Sequence, residues 1–340
     1  MDSQTATVKK QNYALHSLTG IILVILTGVK FNMGMPDQEW LLAFGRFAMP
    51  LFFIISGYYL FSKDGHSEKS LPRKIKHILL LIVFIKVLYL LVDIVYYTAG
   101  VIDLEYLVTA FLVCEESTMH LWFVYALFLL YLWWHIMRYF NLDVKRISLT
   151  LSVIVLALSL TFGVLLRLAG INTVAGTSTL YIDEIIYPFI GIPFFTFGYY
   201  LHMYKEEFDS RVSTPLLVTV TLIGMITPIV ASFYIPKSTL YFGSVLASIG
   251  LFMLTFRVPE NRLRCRFTEF LGKNLKPLLY AYFPMVVFFL KHVVMTGMER
   301  GAAYHILGTV ASMTMNLILS YATYAILKNF VKSRKKASVS

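Results

Sequence analysis

Apolar residues in this chain run in long blocks rather than in short alternating stretches. Windows of about 20 predominantly apolar residues fall at approximately 14–33, 40–62, 77–98, 118–139, 148–169, 182–203, 214–234, 238–256, 276–296 and 303–328. Each is long enough to cross a hydrocarbon layer as a helix, because a helix satisfies every backbone polar group internally. The pattern predicts an all-α, polytopic membrane protein with about ten transmembrane helices. The eighth window is short, and only a few residues join it to the seventh. The stretch "DLEYLVTAFLVCEES" (103–117) is too short and too acidic to span, and reads as an amphipathic segment on the membrane surface.

The polar intervals fix the orientation. Lys9 and Lys10; Lys63, Lys69, Arg73, Lys74 and Lys76; Arg138, Lys145 and Arg146; Lys205 and Arg211; Arg257, Arg262, Arg264, Arg266, Lys273 and Lys276; and Lys328, Lys332, Arg334, Lys335 and Lys336 all fall on one side. They are 23 of the 30 lysines and arginines. The other side holds Arg167, Lys237, Lys291 and Arg300. The positive-inside rule therefore places both termini in the cytoplasm, in agreement with an even number of spans. The expected organisation is a cytoplasmic segment at 1–13, a transmembrane domain at 14–328 and a basic cytoplasmic tail at 329–340. The first apolar run is long enough to stay as a span, and no small-residue cleavage site follows it.

Composition adds weight to that picture. Hydrophobic residues make up 58% of the chain and charged residues 14%, against roughly a quarter charged in soluble domains. The net charge of +11 would suggest nucleic acid in a soluble protein. Here its cytoplasmic placement assigns it to topology and anionic lipid, and nucleic acid is not an expected partner. Cys114 and Cys265 are expected on opposite sides of the membrane. They have no metal-ligand spacing, and no metal is expected.

A few ionisable residues break the apolar pattern, and such groups inside a membrane are costly. Lys30 lies near the outer end of the first span, Arg46 in the outer part of the second, and Asp93 at a similar depth in the third. Lys86 and Asp93 are seven residues apart and share a helix face. His120 and Trp122 open the fourth span on the outer side, and Asp183 and Glu184 open the sixth. Together they predict one pocket open to the outside. The structural alternative is a set of ion pairs between helices, with Lys30 snorkelling to the interface. On the cytoplasmic side, Pro72 can start the third helix, and Arg73 and Lys76 share a face just as that helix enters the membrane. A helix N-terminus with two cations suits phosphate, although ordinary positive-inside anchoring uses the same residues.

Five stretches occur in order: "RFAMPLFFIISGYYLF" (46–61), "PRKIKHILL" (72–80), "MHLWFVYALFLLYLWW" (119–134), "GIPFFTFGYYLHMYKE" (191–206) and "FLGKNLKPLLYAYFP" (270–284). Together they resemble the acyltransferase family 3 of integral membrane proteins. They match its Ser-Gly-Tyr second span, its Arg-x-x-Arg motif, its His-Leu-Trp-Phe span, its Phe-rich Gly-Tyr helix and its Leu-Gly-Lys-Asn segment. The resemblance implies transfer of an acyl group, often acetyl, from cytoplasmic acyl-CoA to an envelope glycan or lipid-linked acceptor. The protein would sit in the cell membrane. Arg73 and Lys76 would hold the phosphates of acyl-CoA, with acetyl-CoA the expected co-substrate.

The resemblance also implies a first-span Arg and His with ten residues between them, the His serving as base. Here Thr19 and Lys30 take those positions. They are eleven residues apart, about 16 Å along one helix face. A Tyr-x-x-His near the penultimate span is likewise replaced: Tyr280 and Tyr282 are present without the His. Lys30 could act as base or nucleophile if neutral, or bind a carboxylate or phosphate if charged. Burial and Arg46 would favour the neutral form and Asp93 the charged one. His120 is a second candidate base. Two functions stay open: a membrane O-acyltransferase with Lys30 and His120 as catalytic residues, or a degenerate relative that binds or translocates an envelope precursor or small solute. The pocket of either would include Thr19, Arg46, Lys86, Asp93, Trp122, Asp183, Glu184 and Tyr282. An unrelated transporter would be marked by inverted repeats, and none is evident.

Overall fold

The computed structural model describes residues 3–32, 39–61, 70–96, 122–174, 177–179, 182, 186–235, 240–257 and 266–337. Within them, helix occupies part of every one of the ten apolar windows. Four helices are long and apolar enough to cross a membrane: Trp40–Tyr58, Val144–Leu168, Thr214–Ser232 and Ala302–Phe330. Apart from helix, the regular structure among the described residues is a two-stranded antiparallel hairpin, Thr173–Val174 with Thr177–Ser178. The expected amphipathic segment at 103–117, both cysteines, His120, Asp183 and Glu184 lie outside the described residues. Asp93 lies in a described helix, but its side chain does not belong to the description.

Two windows depart from a plain helix for local reasons. The second divides into Glu39–Gly45 and Ala48–Tyr58 at a turn through Arg46 and Phe47. Pro50 has no N–H to offer the Arg46 carbonyl, and Gly45 is a weak helix former, so the ladder loosens there. Upstream of the ninth, helix begins at Arg266 and reaches Val294 through two π-helical turns, Leu271–Leu275 and Leu290–Val294. Each π turn widens the helix and shifts the faces that follow it.

The chain forms two compact units. One contains residues 1–42 and 255–340, the other residues 43–254.

In the 43–254 unit, Ala48–Tyr58 crosses Gly191–Met203, and the latter also packs on Val144–Leu160. The crossing is close because it is built on glycine. A methyl group at Gly57 would overlap the Phe195 carbonyl oxygen, and one at Gly198 would overlap that of Ile54. Small residues permit this approach, which membrane helices use in place of a hydrophobic driving force. Phe53, Phe194, Phe195, Tyr199 and Trp134 fill the space around it and are fully buried. Trp134 meets Tyr199 at 4.9 Å and Phe195 at 5.7 Å between centroids. The helix Leu71–Tyr96 packs against Trp122–Tyr139. Its Ile82, Ile85, Lys86 and Tyr89 are buried, while Leu79, Leu80, Val83, Phe84 and Val87 are exposed. That two-sided apolar pattern suits a helix between protein and lipid.

In the other unit, the first helix, Ser3–Phe31, packs along the closing helix, Ala302–Ala337, and against the 266–289 segment. The closing helix turns a polar seam inward. Asn316 donates to Thr27 Oγ1 at 2.8 Å and to the Leu279 carbonyl at 3.0 Å, and Ser320 donates to Asn316 Oδ1 at 3.3 Å. Ser312, Asn316 and Ser320, spaced four apart, are all buried. Its opposite side, with Ile306, Leu307, Val310 and Ile318, is exposed and apolar.

Candidate functional site

The last turn of the first helix carries Lys30, Phe31 and Asn32 into a corner made by the second π turn and the start of the closing helix. Lys30 is half-buried. Its position at a helix C-terminus is electrostatically favourable, since that end carries partial negative charge. Phe31 is fully buried. Lys291 of the π turn stands over the Phe31 ring at 5.5 Å, and Tyr304 packs on Phe31 at 5.4 Å. The π turn brings Lys291 to this corner, where it feels the positive charges of Lys30 and Arg300. Three cations thus gather at one end of this unit.

Beside them lies a hydrogen-bonded group that pattern reading did not single out. Asn32 is 1% exposed. It donates to the Gly28 carbonyl at 3.0 Å and to Thr309 Oγ1 at 2.9 Å, and its Oδ1 lies 2.8 Å from His305 Nδ1. Glycine again permits the approach: a methyl at Gly308 would enter the Phe31 ring, and one at Gly28 would press on Thr309 and Met313. The available sequence signal is the spacing of His305 and Thr309, one turn apart at the start of an apolar helix. It marks a shared polar face but not the neighbour that face meets.

The other expected site residues fall as follows. Thr19 is buried in the first helix, next to Gly20, which abuts Leu271 and Gly272 of the first π turn. Tyr282 hydrogen-bonds Thr323 at 2.9 Å. Both belong to the Lys30 unit. Arg46, Lys86 and Trp122 belong to the other unit. Arg46 sits half-buried in the turn before Ala48, Lys86 is 3% exposed, and Trp122 opens its helix 6.2 Å from Phe53.

Arg73 and Lys76 are both exposed in the first turns of Leu71–Tyr96. The cation that turns inward there is Lys74. It donates to the Tyr59 carbonyl at 3.0 Å and lies 5.8 Å from the Tyr131 ring centre. It precedes the 77–98 window, and burial lowers its pKa from the ordinary lysine value. Tyr131 is hydrogen-bonded to Ser56, and Trp134, one turn along, has a buried indole N–H without a partner among the described residues. No group of three or more His, Cys, Asp or Glu side chains able to hold a metal occurs among the described residues.

Comparison with protein families gives a match to the acyltransferase domain over residues 16–325. Comparison with curated proteins and with solved structures gives no match.

Proposed function

The chain belongs to the acyltransferase family 3, and from that premise we propose that it moves an acyl group from acyl-CoA to a hydroxyl of an envelope glycan or lipid-linked acceptor. The observation that carries this reading is the family match over nearly the whole chain, joined to a polar, cationic corner at the position expected for the family's first-span histidine. Lys30 acts there as a cation. Beside Lys291 and Arg300 it holds an anionic group of the acceptor. Acetyl is the expected acyl group and the cell membrane the expected location, with both termini cytoplasmic.

Acyl-CoA is held at the start of the Leu71–Tyr96 helix. Arg73 and Lys76 serve its phosphates, and the inward Lys74, with Tyr131 and Trp134, forms the wall nearest the protein interior. His120, Asp93, Asp183 and Glu184 remain proposed pocket residues on the strength of sequence alone.

The test is acetyl-CoA binding and turnover by purified protein, with Lys30→Ala and Lys30→His beside wild type. Wild type should bind acetyl-CoA and release free CoA, and Lys30→Ala should lose turnover while keeping binding. A wild type that neither binds nor consumes acetyl-CoA sinks the reading. Replacement of the expected pair by Thr19 and Lys30 supports a second reading, a degenerate member that binds or translocates an envelope precursor. Turnover appearing only in Lys30→His would select it.

A further inference from the structure

We propose that the corner at the end of the first helix binds a phosphate carried on a lipid. Lys30, Lys291 and Arg300 hold the phosphate, and exposed apolar side chains beside them receive the hydrocarbon tail. The inference goes beyond the acyltransferase reading. Neither acyl-CoA nor the 43–254 unit takes part, because every residue involved lies in the unit of residues 1–42 and 255–340.

Charge is the first ground. Lys291 sits close enough to Lys30 and to Arg300 to feel the charge of each. The corner is formed by the first helix, the second π turn, the connection 295–301 and the closing helix. Among their described side chains the acid is Glu299, which is exposed, so positive charge is in excess. Helix dipoles account for part of this. Lys30 ends the first helix and Lys291 lies in a π turn that ends a helix, and cations are favoured at such ends. Arg300 is the reverse case. It precedes the N-terminus of the closing helix, where a cation is disfavoured, and that helix has no acidic residue in its first turn. An anion relieves both the crowded cations and the first N–H groups of that helix.

Snorkelling would leave lysine ammonium groups exposed and apart. Here Lys30 and Lys291 are half-buried, and Lys291 stands over the Phe31 ring at 5.5 Å. The corner is also preformed. Asn32 ties the end of the first helix to Thr309 at 2.9 Å and to His305 at 2.8 Å. In the connection, the Met298 N–H donates to the Met295 carbonyl at 3.2 Å, and the Gly301 N–H to the Glu299 carbonyl at 2.8 Å. Cations held in place beforehand bind a ligand at little ordering cost.

The second ground is the apolar rim. Val293 and Val294 follow Lys291 in the same π turn, Met298 lies two residues before Arg300, and Ile306 and Leu307 belong to the first turns of the closing helix. All five are exposed. A free anion gains nothing from that rim. A lipid phosphate matches the whole arrangement, with its headgroup on the cations and its chain along the rim. Arginine offers phosphate two donors in one plane, and lysine a point charge.

The experiment uses the full chain in a non-ionic detergent, with dioctanoyl phosphatidic acid as the probe. Native mass spectrometry counts the bound molecules and a titration gives the affinity of the tightest one. Dioctanoylglycerol supplies the tails without the phosphate, and glycerol 3-phosphate supplies the phosphate without the tails. Lys335→Gln with Lys336→Gln controls for the basic tail. Lys291→Gln and Arg300→Gln should each weaken the tightest site about tenfold, the usual loss of one charge-assisted hydrogen bond. Lys291→Arg should stay within about threefold of wild type and the tail variant within about twofold. Arg300 is exposed, so Arg300→Gln should leave thermal unfolding unchanged and keeps the test valid even if Lys291→Gln folds poorly. An affinity unchanged in Arg300→Gln overturns the site, as does loss of the tightest site in the tail variant. Dioctanoylglycerol binding as tightly as phosphatidic acid overturns the role of the phosphate. Glycerol 3-phosphate binding as tightly overturns the lipid and leaves a site for free phosphate.

Discussion

Replacement of Gly57 by alanine tests the close helix crossing of the 43–254 unit. The added methyl would overlap the Phe195 carbonyl oxygen and lie 2.8 Å from its carbonyl carbon, where ordinary contact begins at 3.4 Å. Both obstacles are backbone atoms of a helix, so neither can turn aside. The helices Ala48–Tyr58 and Gly191–Met203 must part by more than half an ångström. Overpacking of this kind costs about 1–3 kcal/mol. The parting also thins the contacts of Phe53, Phe194, Phe195 and Tyr199, all buried beside the crossing, and gaps of that size forfeit a quarter or more of each contact's attraction. The expected total is about 2–4 kcal/mol. Gly198→Ala meets the Ile54 backbone in the same way and should cost a similar amount. Because one separation relieves both clashes, the double variant should fall short of the sum by about 1 kcal/mol or more. Gly301→Ala, with nothing within 4 Å of the new methyl, is the control. Equilibrium unfolding in mixed micelles measures all four. A Gly57→Ala cost below about 0.5 kcal/mol, or strict additivity of the pair, would refute the crossing geometry.

Asn316→Leu removes the donors to Thr27 and the Leu279 carbonyl and should destabilise by about 1–2 kcal/mol in the same unfolding assay; no loss would mean that the seam does not tie these helices. Lys74→Met should weaken acetyl-CoA binding about tenfold, more than Arg73→Ala or Lys76→Ala, because Lys74 alone of the three is turned inward. Equal effects from all three would move the ligand to the exposed face. In a Cys114→Ser, Cys265→Ser background, Glu299→Cys should react with a membrane-impermeant thiol reagent on intact cells and Arg138→Cys should not. The reverse pattern would invert the proposed topology.

The sequence alone determined where helices form. A bilayer admits few spanning structures, so runs such as 214–234 and 303–328 announce themselves by length and apolarity. It also marked Lys30 as a residue out of place, and its ordered motifs pointed to the family that the comparison then matched over residues 16–325. The breaks were not read from the pattern: Gly45 and Pro50 explain the turn at Arg46 only once it is seen, and nothing in the pattern marks the π turn that brings Lys291 to Phe31.

Only the tertiary structure decided the partners. Helical periodicity says which residues share a face, not which neighbour that face meets. Arg73 and Lys76 lie three apart on one helix and are both exposed, while the inward residue is Lys74. The glycines in the Ser-Gly-Tyr and Gly-Tyr stretches look like punctuation in one dimension. In three dimensions they are the two halves of one crossing. The bond between Asn32 and His305 joins residues 273 positions apart. No local rule links them, because the link is made when two helices pack closely enough for short side chains to meet.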